Sequence, residues 1–350
     1  MNNKKLSLTI ITMILCISFL LTSCKKYDDE ITSRTEFMMD TVITIKIYDK
    51  IDEKVLDKVF ARLKEIENRM SKTIENSDVS NINKQAGKEP VKVHEDLYYV
   101  LEKALYFADL TDGAYEPTIG PLVELWDIKG NVENELHLIP DDDDIRKAID
   151  KVNYKKLELL EDDTVLLKEK GMKIDLGGIV KGYAADETKR ILSENGVKSA
   201  IIDLGGNIYA FGKRPSSEPW RIGIQDPFNI KGNYIGLINV IDNSIVTSGD
   251  YERYFEIEGK RYHHIIDSKT GYPSMNELSA VSIITKDSID GDALSTALFI
   301  LGTEKSSELL KKIDNADALF ITKGKDIYVP SKYKDKFELK NDDFNLIYIN

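Results

Sequence analysis

The sequence predicts an α+β protein with largely antiparallel or mixed sheets and packed helices, arranged as a single large domain of two intimate lobes. Strand-like runs follow one another without intervening helices throughout residues 199–266. The strongly periodic helical segments lie before and after that block instead of alternating with single strands. This order favours antiparallel pairing over a doubly wound parallel fold.

The predicted elements can be placed in chain order by their hydrophobic periodicity. Apolar residues recur on one helical face over residues 52–70, and further helices are predicted at 97–110, 182–195, 290–301 and 305–313. Two short strands are predicted after the last of these helices. The other predicted strands cover residues 41–48, 157–160, 164–168, 172–176, 199–203, 207–211, 220–225, 234–241, 253–258, 261–266 and 281–285.

The acidic run at residues 141–144 precedes apolar residues at helical spacing. Acidic side chains in a first helical turn interact favourably with the helix dipole. The run therefore indicates a helix start more than a calcium site.

The N-terminus predicts export and membrane anchoring. Lys4 and Lys5 precede an apolar run that ends in Leu-Thr-Ser-Cys at Cys24. A basic start, a short apolar core and small residues are typical of a signal peptide, here residues 1–23, and an uncleaved transmembrane anchor is the alternative. The ending resembles a bacterial lipobox, which implies lipidated Cys24 at the extracytoplasmic face of the cell membrane. We expect residues 24–36 to be a polar tether and residues 37–340 the functional domain.

Charge and cysteine content exclude several function classes. The net charge of −12 becomes −14 when the signal peptide is removed, because only Lys4 and Lys5 are lost. Such an acidic chain is a poor nucleic-acid binder and needs a local cation or metal to hold an anionic ligand. Both cysteines, Cys16 and Cys24, lie at the N-terminus. Cysteine catalysis, disulfides and thiolate metal sites are therefore excluded from the predicted domain.

The segment at residues 175–186, Asp-Leu-Gly-Gly-Ile-Val-Lys-Gly-Tyr-Ala-Ala-Asp, is the most informative in the chain. A glycine pair between a strand and a helix lets the backbone approach a ligand, and the free N–H groups of a helix start suit phosphate. Lys181 adds a cation at the same place. The segment is neither a dinucleotide fingerprint nor a P-loop, and close packing alone is the alternative.

A second segment offers oxygen ligands for a metal. Asp292 and Thr296 are four residues apart, so they share one face near the start of a predicted helix. A carboxylate and a hydroxyl suit Mg²⁺, which would also offset the acidic charge of the chain. The alternative is that Asp292 caps the helix and Thr296 has no special role.

Three further segments are candidates for ligand contacts. His263 and His264 would point to opposite faces of a strand, so only one can face a site, as a general base or a flavin contact. Residues 113–126 form a rigid loop in which Tyr115 and Trp126 could stack on a planar ring. The polar loop at residues 70–83 could line a nucleotide pocket. Purely structural roles are the alternative in each case.

Taken together, these segments resemble the ApbE family of FAD:protein FMN transferases over residues 37–330. The matching segments occur in the family's order at residues 39–41, 77–83, 113–126, 175–186, 247–251, 264–267 and 292–296. This chain has Asp40 where the family usually has glycine and Glu116 where it has aspartate. It has Thr73 where family members often present tyrosine.

The resemblance implies Mg²⁺-dependent transfer of FMN from FAD to a Thr or Ser hydroxyl of an acceptor flavoprotein, with release of AMP. It implies that Mg²⁺ is held by Asp292, Thr296 and the backbone carbonyl of Gly178. It also implies that Asp292, His264 and Lys181 are catalytic, with an acid or His264 accepting the hydroxyl proton. The FAD contacts that it implies are Met39, Thr73, Ala114, Tyr115, Glu116, Asp175, Lys181 and His264.

The expected partner, besides FAD, is a subunit of an extracytoplasmic redox pump or a flavoprotein reductase. Two alternatives stay open at this point. One is a Mg²⁺-dependent FAD pyrophosphatase, in which water replaces the protein hydroxyl. The other is a non-catalytic flavin- or solute-binding lipoprotein.

Overall fold

The computed structural model describes residues 31–229 and 232–349, in which strands outnumber helices. The strands are β1 Thr32–Met38, β2 Thr41–Ile47, β3 Val91–Lys92, β4 Leu157–Leu160, β5 Thr164–Leu167, β6 Ser199–Leu204, β7 Asn207–Gly212, β8 Trp220–Gln225, β9 Tyr234–Val240, β10 Asn243–Gly249, β11 Tyr254–Ile257, β12 Lys260–His263, β13 Leu278–Thr285, β14 Ala316–Thr322, β15 Asp326–Pro330, β16 Phe337–Leu339 and β17 Asn345–Ile349. The helices are α1 Lys54–Met70, α2 Asp78–Gln85, α3 Glu95–Leu110, α4 Gly120–Trp126, α5 Ile128–Glu133, α6 Asp142–Ile149, α7 Val180–Glu194 and α8 Ser288–Leu310.

A nine-stranded sheet in the order β1-β2-β6-β7-β10-β13-β14-β15-β17 organises the fold. Its neighbouring strands are antiparallel except β15 and β17, which are parallel. Small sheets form from β16-β9-β8, from β3-β5-β4 and from β11-β12. The predicted α+β class with largely antiparallel sheets is confirmed.

Apolar residues cover both faces of the large sheet. Every residue of β13 is buried, and its neighbours Ile283 and Ile284 belong to different clusters. Ile283 packs in the cluster that contains the apolar faces of α1, α3, α7 and α8. Ile284 packs in the cluster that contains β8, β9 and Phe337. Because successive side chains alternate across a strand, this central strand needs apolar residues at consecutive positions.

A smaller lobe has its own apolar cluster around Trp126 and Tyr262. It combines residues of α4, α5 and α6 with β11 and β12. The acidic run lies at the start of α6, which confirms the predicted helix start. The two lobes meet at the cavity described below.

Several predicted boundaries need correction. Residues 172–176 do not form a ladder strand, because the amides of Gly120 and Asp175 bond to the carbonyls of Lys173 and Pro117, tying this segment to the loop at 117–120. The strand predicted at 261–266 ends at His263. Four strands, not two, follow α8, and α8 itself joins the predicted helices across a break at Gly302. Residues 32–36, which we expect in the tether, belong to β1. The signal peptide, Cys24 and tether residues 24–30 lie outside the described residues.

Candidate functional site

A cavity of about 640 Å³ lies where the β1–β2 turn, the start of α7, the first turns of α8 and the loop before α4 meet. Cys24 lies outside the described residues, but the structure brings the other predicted site residues to this one cavity. These lining residues are Met39, Thr73, Ala114, Tyr115, Glu116, Asp175, Gly178, Lys181, His264, Asp292 and Thr296. Their shared location does not test their individual roles, which stay predictions.

Asp292 links α8 to the start of α7. Its Oδ2 atom accepts a hydrogen bond of 2.9 Å from the amide of Gly182. A Cβ at Gly182 would lie 2.3 Å from the carbonyl oxygen of Ser288. Glycine is therefore needed for α7 to approach α8 this closely. Close packing, which the sequence analysis left open as an alternative for this segment, is present at Gly182, and ligand binding by the segment stays a prediction.

Asp292 is a buried carboxylate, only 3% exposed, at the wall of the cavity. Burial raises the pKa of Asp292, and the nearby charge of Lys181 and the amide of Gly182 oppose that rise. A carboxylate in this position gains stability from any additional positive charge. The cavity wall thus favours a bound cation beside Asp292.

The oxygen atoms around Asp292 fit Mg²⁺ better than a soft metal. A Cβ built on Gly178 would lie 3.1 Å from Thr296 Oγ1 and 3.4 Å from a ring carbon of Tyr115, so the Gly178 backbone lies against both side chains. Residues 31–229 and 232–349 contain no cluster of three or more His, Cys, Asp or Glu side chains suited to a metal. One carboxylate, one hydroxyl and backbone oxygen suit a cation that keeps water and substrate oxygens as further ligands.

Asp175 is held by hydrogen bonds at the cavity wall. Its carboxylate accepts from Lys72 Nζ at 2.6 Å and from the amide of Gly177 at 2.8 Å. Asn83 holds Ile174, the residue before Asp175, by two hydrogen bonds. Its Oδ1 accepts from the amide of Ile174, and its Nδ2 donates to the carbonyl of Ile174. The glycine turn is therefore fixed from the α2 side. Lys72 belongs to the segment at residues 70–83 that the sequence analysis proposed as a pocket wall, but it was given no individual role there.

Lysine and arginine side chains give the cavity positive charge. Lys72 pairs with Asp175, and Lys129 pairs with Asp40 at 2.7 Å. In the described part of the chain, Lys181 has no carboxylate within ion-pair distance. Arg253 donates to the backbone oxygen of Asp40 at 2.7 Å. Lys181 and Arg253 are therefore the cavity cations without a carboxylate partner among these residues.

His263 and His264 face different surroundings, as the sequence analysis expects. His263 is buried, donates from Nε2 to the carbonyl of Ser274 at 2.8 Å and accepts at Nδ1 from the amide of Ile265. Burial lowers the pKa of His263 to about 4. His264 lies just after β12 and lines the cavity. The structural role therefore belongs to His263, and His264 is available to a ligand.

His264 is uncharged at neutral pH. Enclosure by the surrounding protein lowers the pKa of His264, and the charges of Arg253 and Lys181 act in the same direction. The side chain is nevertheless open to solvent in the cavity.

The loop at residues 113–126 contains both structural and cavity-facing groups. Glu116 accepts from the amide and hydroxyl of Thr118 and from the amide of Tyr154. Burial raises the pKa of Glu116, while these hydrogen bonds oppose the rise. Both carboxylate oxygens are therefore committed to holding the loop.

The two aromatic residues of that loop have different roles. Trp126 is fully buried, donates to the carbonyl of Gly271 at 2.7 Å and stacks on Tyr262. The expectation that Trp126 stacks on a ligand ring is wrong, because the small-lobe core encloses its indole. Tyr115 is also buried, but it lines the cavity and its hydroxyl has no hydrogen-bond partner within the described residues.

The polar loop predicted at residues 70–83 ends at Ser77, because α2 begins at Asp78, and most of the segment bonds to itself. Ser77 caps α2 by accepting from the amide of Ser80 at 2.9 Å. Lys72 and Thr73 reach the cavity, and the Thr73 hydroxyl lies 2.9 Å from that of Ser71. The structural alternative therefore holds for residues 77–83, while the start of the loop belongs to the site.

Met39 and Asp40 form a tight turn between β1 and β2 at the cavity edge. Their φ angles are 51° and 58°, as in the type I′ turns of two-residue hairpins. The amide of Met39 donates to Glu67 Oε1 at 2.7 Å. The turn explains why a glycine would suit position 40, and aspartate is among the residues that tolerate this conformation.

The sequence analysis gave no site role to several further cavity residues, although three of them lie in its matching segment at residues 247–251. They come mainly from β10, the turn after β6 and the loop before β11: Gly205, Thr247, Ser248, Gly249 and Arg253. The segment at 247–251 was available as a signal, since it belongs to the matching segments and precedes Arg253 by two residues. Gly205 carried a weaker signal, the second Asp-Leu-Gly-Gly in the chain at residues 203–206.

The chain is similar in sequence to proteins of one known family. The model of the ApbE family matches residues 39–320. A FAD:protein FMN transferase of Treponema pallidum is 38% identical over 307 residues, covering 83% of this chain and 84% of the relative. Another of that name from Klebsiella pneumoniae is 37% identical over 323 residues, covering 91% of this chain and 98% of the relative.

Solved structures show the same likeness. The crystal structure of the ApbE protein from Thermotoga maritima superposes with a TM-score of 0.79 at 34% identity, covering 87% of this chain and 99% of that one. The flavin transferase ApbE from Vibrio cholerae superposes with a TM-score of 0.74 at 26% identity, covering 90% and 98%.

Proposed function

Because the chain belongs to the ApbE family, we propose that it is a FAD:protein FMN transferase. We further propose that it needs Mg²⁺, uses a Thr or Ser hydroxyl of an acceptor flavoprotein and releases AMP. The most direct support is that the glycine segment at residues 175–186 and the first turns of α8 line one cavity. The hydrogen bond from the Gly182 amide to Asp292 links them. There Asp292, Thr296 and Lys181 surround a space suited to a metal and a diphosphate.

In this proposal Asp292, Thr296 and the Gly178 backbone hold Mg²⁺. When bound, Mg²⁺ supplies positive charge that polarises the diphosphate and stabilises the leaving phosphate. Lys181 adds a second positive charge, and the amides at the start of α7 offer donors to phosphate oxygens. These groups offset the acidic charge of the chain locally.

The reaction exchanges the phosphoanhydride linkage of the FAD diphosphate for a phosphoester linkage to the acceptor. The acceptor hydroxyl oxygen bonds to the phosphorus of the FMN phosphate, and the bond from that phosphorus to the bridging oxygen breaks, so AMP leaves with that oxygen. The hydroxyl proton passes to a base. We propose that neutral His264 or a carboxylate, such as that of Asp292, accepts it.

The experiment combines the protein, FAD, Mg²⁺ and candidate acceptor proteins, followed by a denaturing gel viewed for flavin fluorescence. We expect a fluorescent acceptor band, stoichiometric AMP and loss of both on chelation with EDTA. AMP and free FMN with no labelled protein would instead identify a FAD pyrophosphatase. Bound FAD that stays intact for hours with Mg²⁺ would identify a flavin-binding protein without catalysis.

The acceptor we propose is a subunit of an extracytoplasmic redox pump or a flavoprotein reductase. We also propose that residues 1–23 are removed, that Cys24 is lipidated and that residues 37–340 work at the extracytoplasmic face of the membrane. The N-terminal sequence pattern supports this. No helix in the ranges 31–229 and 232–349 is long and apolar enough to cross a membrane. Radiolabelled palmitate should label the native chain but not Cys24→Ser, which should also leave the membrane fraction.

A further inference from the structure

Tyr115 lines the cavity and carries a hydroxyl group that is itself buried. Its side chain is 3% exposed, and its hydroxyl is one of three buried side-chain polar atoms without a hydrogen-bond partner among the described residues. The other two belong to Asp96 and Asn207, which do not line this cavity. A buried hydroxyl with no partner destabilises the free protein, so its presence calls for an acceptor that arrives with a ligand.

The surroundings of Tyr115 indicate where that acceptor lies. A Cβ at Gly178 would touch both a ring carbon of Tyr115 and Thr296 Oγ1, so the phenol ring lies beside the proposed metal ligands. A tyrosine hydroxyl is protonated at neutral pH, so it can donate a hydrogen bond.

The nearby carboxylates already have partners of their own. Asp292 accepts from the Gly182 amide, and Asp175 accepts from Lys72 and the Gly177 amide. We propose that the Tyr115 hydroxyl donates a hydrogen bond to a diphosphate oxygen of bound FAD, beside Asp292 and Thr296. This inference rests on the proposed function. The hydroxyl would hold the diphosphate of FAD in place, a role beyond stacking of the Tyr115 ring on a ligand.

Tyr115→Phe tests the hydroxyl while keeping the ring. A hydrogen bond to a charged oxygen corresponds to an affinity change of about 10- to 100-fold. We expect that loss for FAD with Mg²⁺ and for ADP with Mg²⁺, measured by calorimetry. Affinity for riboflavin, which lacks phosphate, should not change. Unchanged FAD affinity, or a loss confined to riboflavin, would overturn the proposal.

A second measurement separates this role from a structural one. The ligand-free Tyr115→Phe protein should melt at the same temperature as wild type or about 1–3 °C higher, because a buried unpaired hydroxyl is removed. Tyr183→Phe is the matched control, since its hydroxyl accepts from Arg62 at 2.9 Å away from the cavity. That variant should melt lower with unchanged FAD affinity. A lower melting temperature for Tyr115→Phe would show that the hydroxyl has a partner in the free protein.

The comparison stays informative if the proposed function fails. A wild-type protein that binds FAD but transfers no FMN would refute the transferase activity. The ratio of FAD affinities for wild type and Tyr115→Phe would still test the hydroxyl.

Discussion

Asp292 on α8 accepts a hydrogen bond from the amide of Gly182 at the start of α7. The same carboxylate lines the cavity beside Thr296 and Lys181. One residue therefore joins two helices and presents charge to the ligand. A substitution at Asp292 must be chosen so that the structural and chemical consequences can be separated.

Asp292→Asn separates the structural hydrogen bond of Asp292 from its negative charge. The amide oxygen of asparagine can still accept from Gly182, but the negative charge is lost. We expect transfer to fall by at least about 100-fold, with a melting temperature within about 2 °C of wild type. Flavin labelling of an acceptor and calorimetric melting measure the two effects.

Asp290→Asn is the control for that substitution. Asp290 lies on the same helix, pairs with Lys103 at 2.8 Å and does not line the cavity. Its loss should leave transfer near the wild-type rate. Near-normal transfer by Asp292→Asn, or an equal loss in Asp290→Asn, would contradict the proposed metal site.

Asp186 should make stability depend on pH. Its carboxylate accepts from the amides of Ser288 and Ile289 at the start of α8. Burial raises the pKa of Asp186 from 3.8 to about 6, although these hydrogen bonds oppose the rise. The folded state therefore binds a proton more tightly than the unfolded state. The corresponding stability is complete below about pH 4 and is lost as the pH rises to about 6.

Asp186→Asn isolates this contribution. The free energy of unfolding of wild type, relative to the variant, should fall by on the order of 1–3 kcal/mol between about pH 4 and pH 6. Urea titrations of both proteins at several pH values measure the difference. A constant difference, or one that grows with pH, is inconsistent with a raised pKa at Asp186.

Glu116 should matter chiefly for the stability of the loop before α4. Glu116→Ala leaves the buried hydroxyl of Thr118 and the amides of Thr118 and Tyr154 without their acceptor. We expect the free energy of unfolding to fall by about 2–4 kcal/mol. Glu116→Gln keeps one acceptor oxygen and should cost about half as much. Equal stability of wild type and Glu116→Ala in urea would show that these bonds contribute nothing.

Asp40 tests the turn at the cavity edge. At its φ angle of 58°, glycine is unstrained and a β-branched residue is disfavoured. Asp40→Gly loses the exposed ion pair with Lys129 but relieves the backbone, so its stability should stay within about 0.5 kcal/mol of wild type. Asp40→Val should lose about 1–2 kcal/mol. The idea fails if chemical denaturation ranks valine equal to glycine.

Local sequence patterns identified much of the site. Asp292 and Thr296 share a helix face because they are four residues apart, and the glycine pair before Lys181 predicts a close approach of backbone to ligand. The amphipathic faces of α1 and α3 were equally readable, because their apolar residues recur at helical spacing. These features depend on neighbours in the chain, so the sequence contains the information directly.

Tertiary packing decided the rest. Residues 172–176 have a strand-like composition, yet their amides pair with the loop at 117–120 and with Asn83, which lie far away in sequence. Trp126 looked as available to a ligand as Tyr115 until the small-lobe core enclosed its indole. Only the folded structure shows that the Tyr115 hydroxyl has no partner among the described residues, because Gly178 and Thr296 come from distant parts of the sequence to pack beside its ring. Sequence determined which chemical groups this protein carries, and long-range packing determined which of them remain free to meet a ligand.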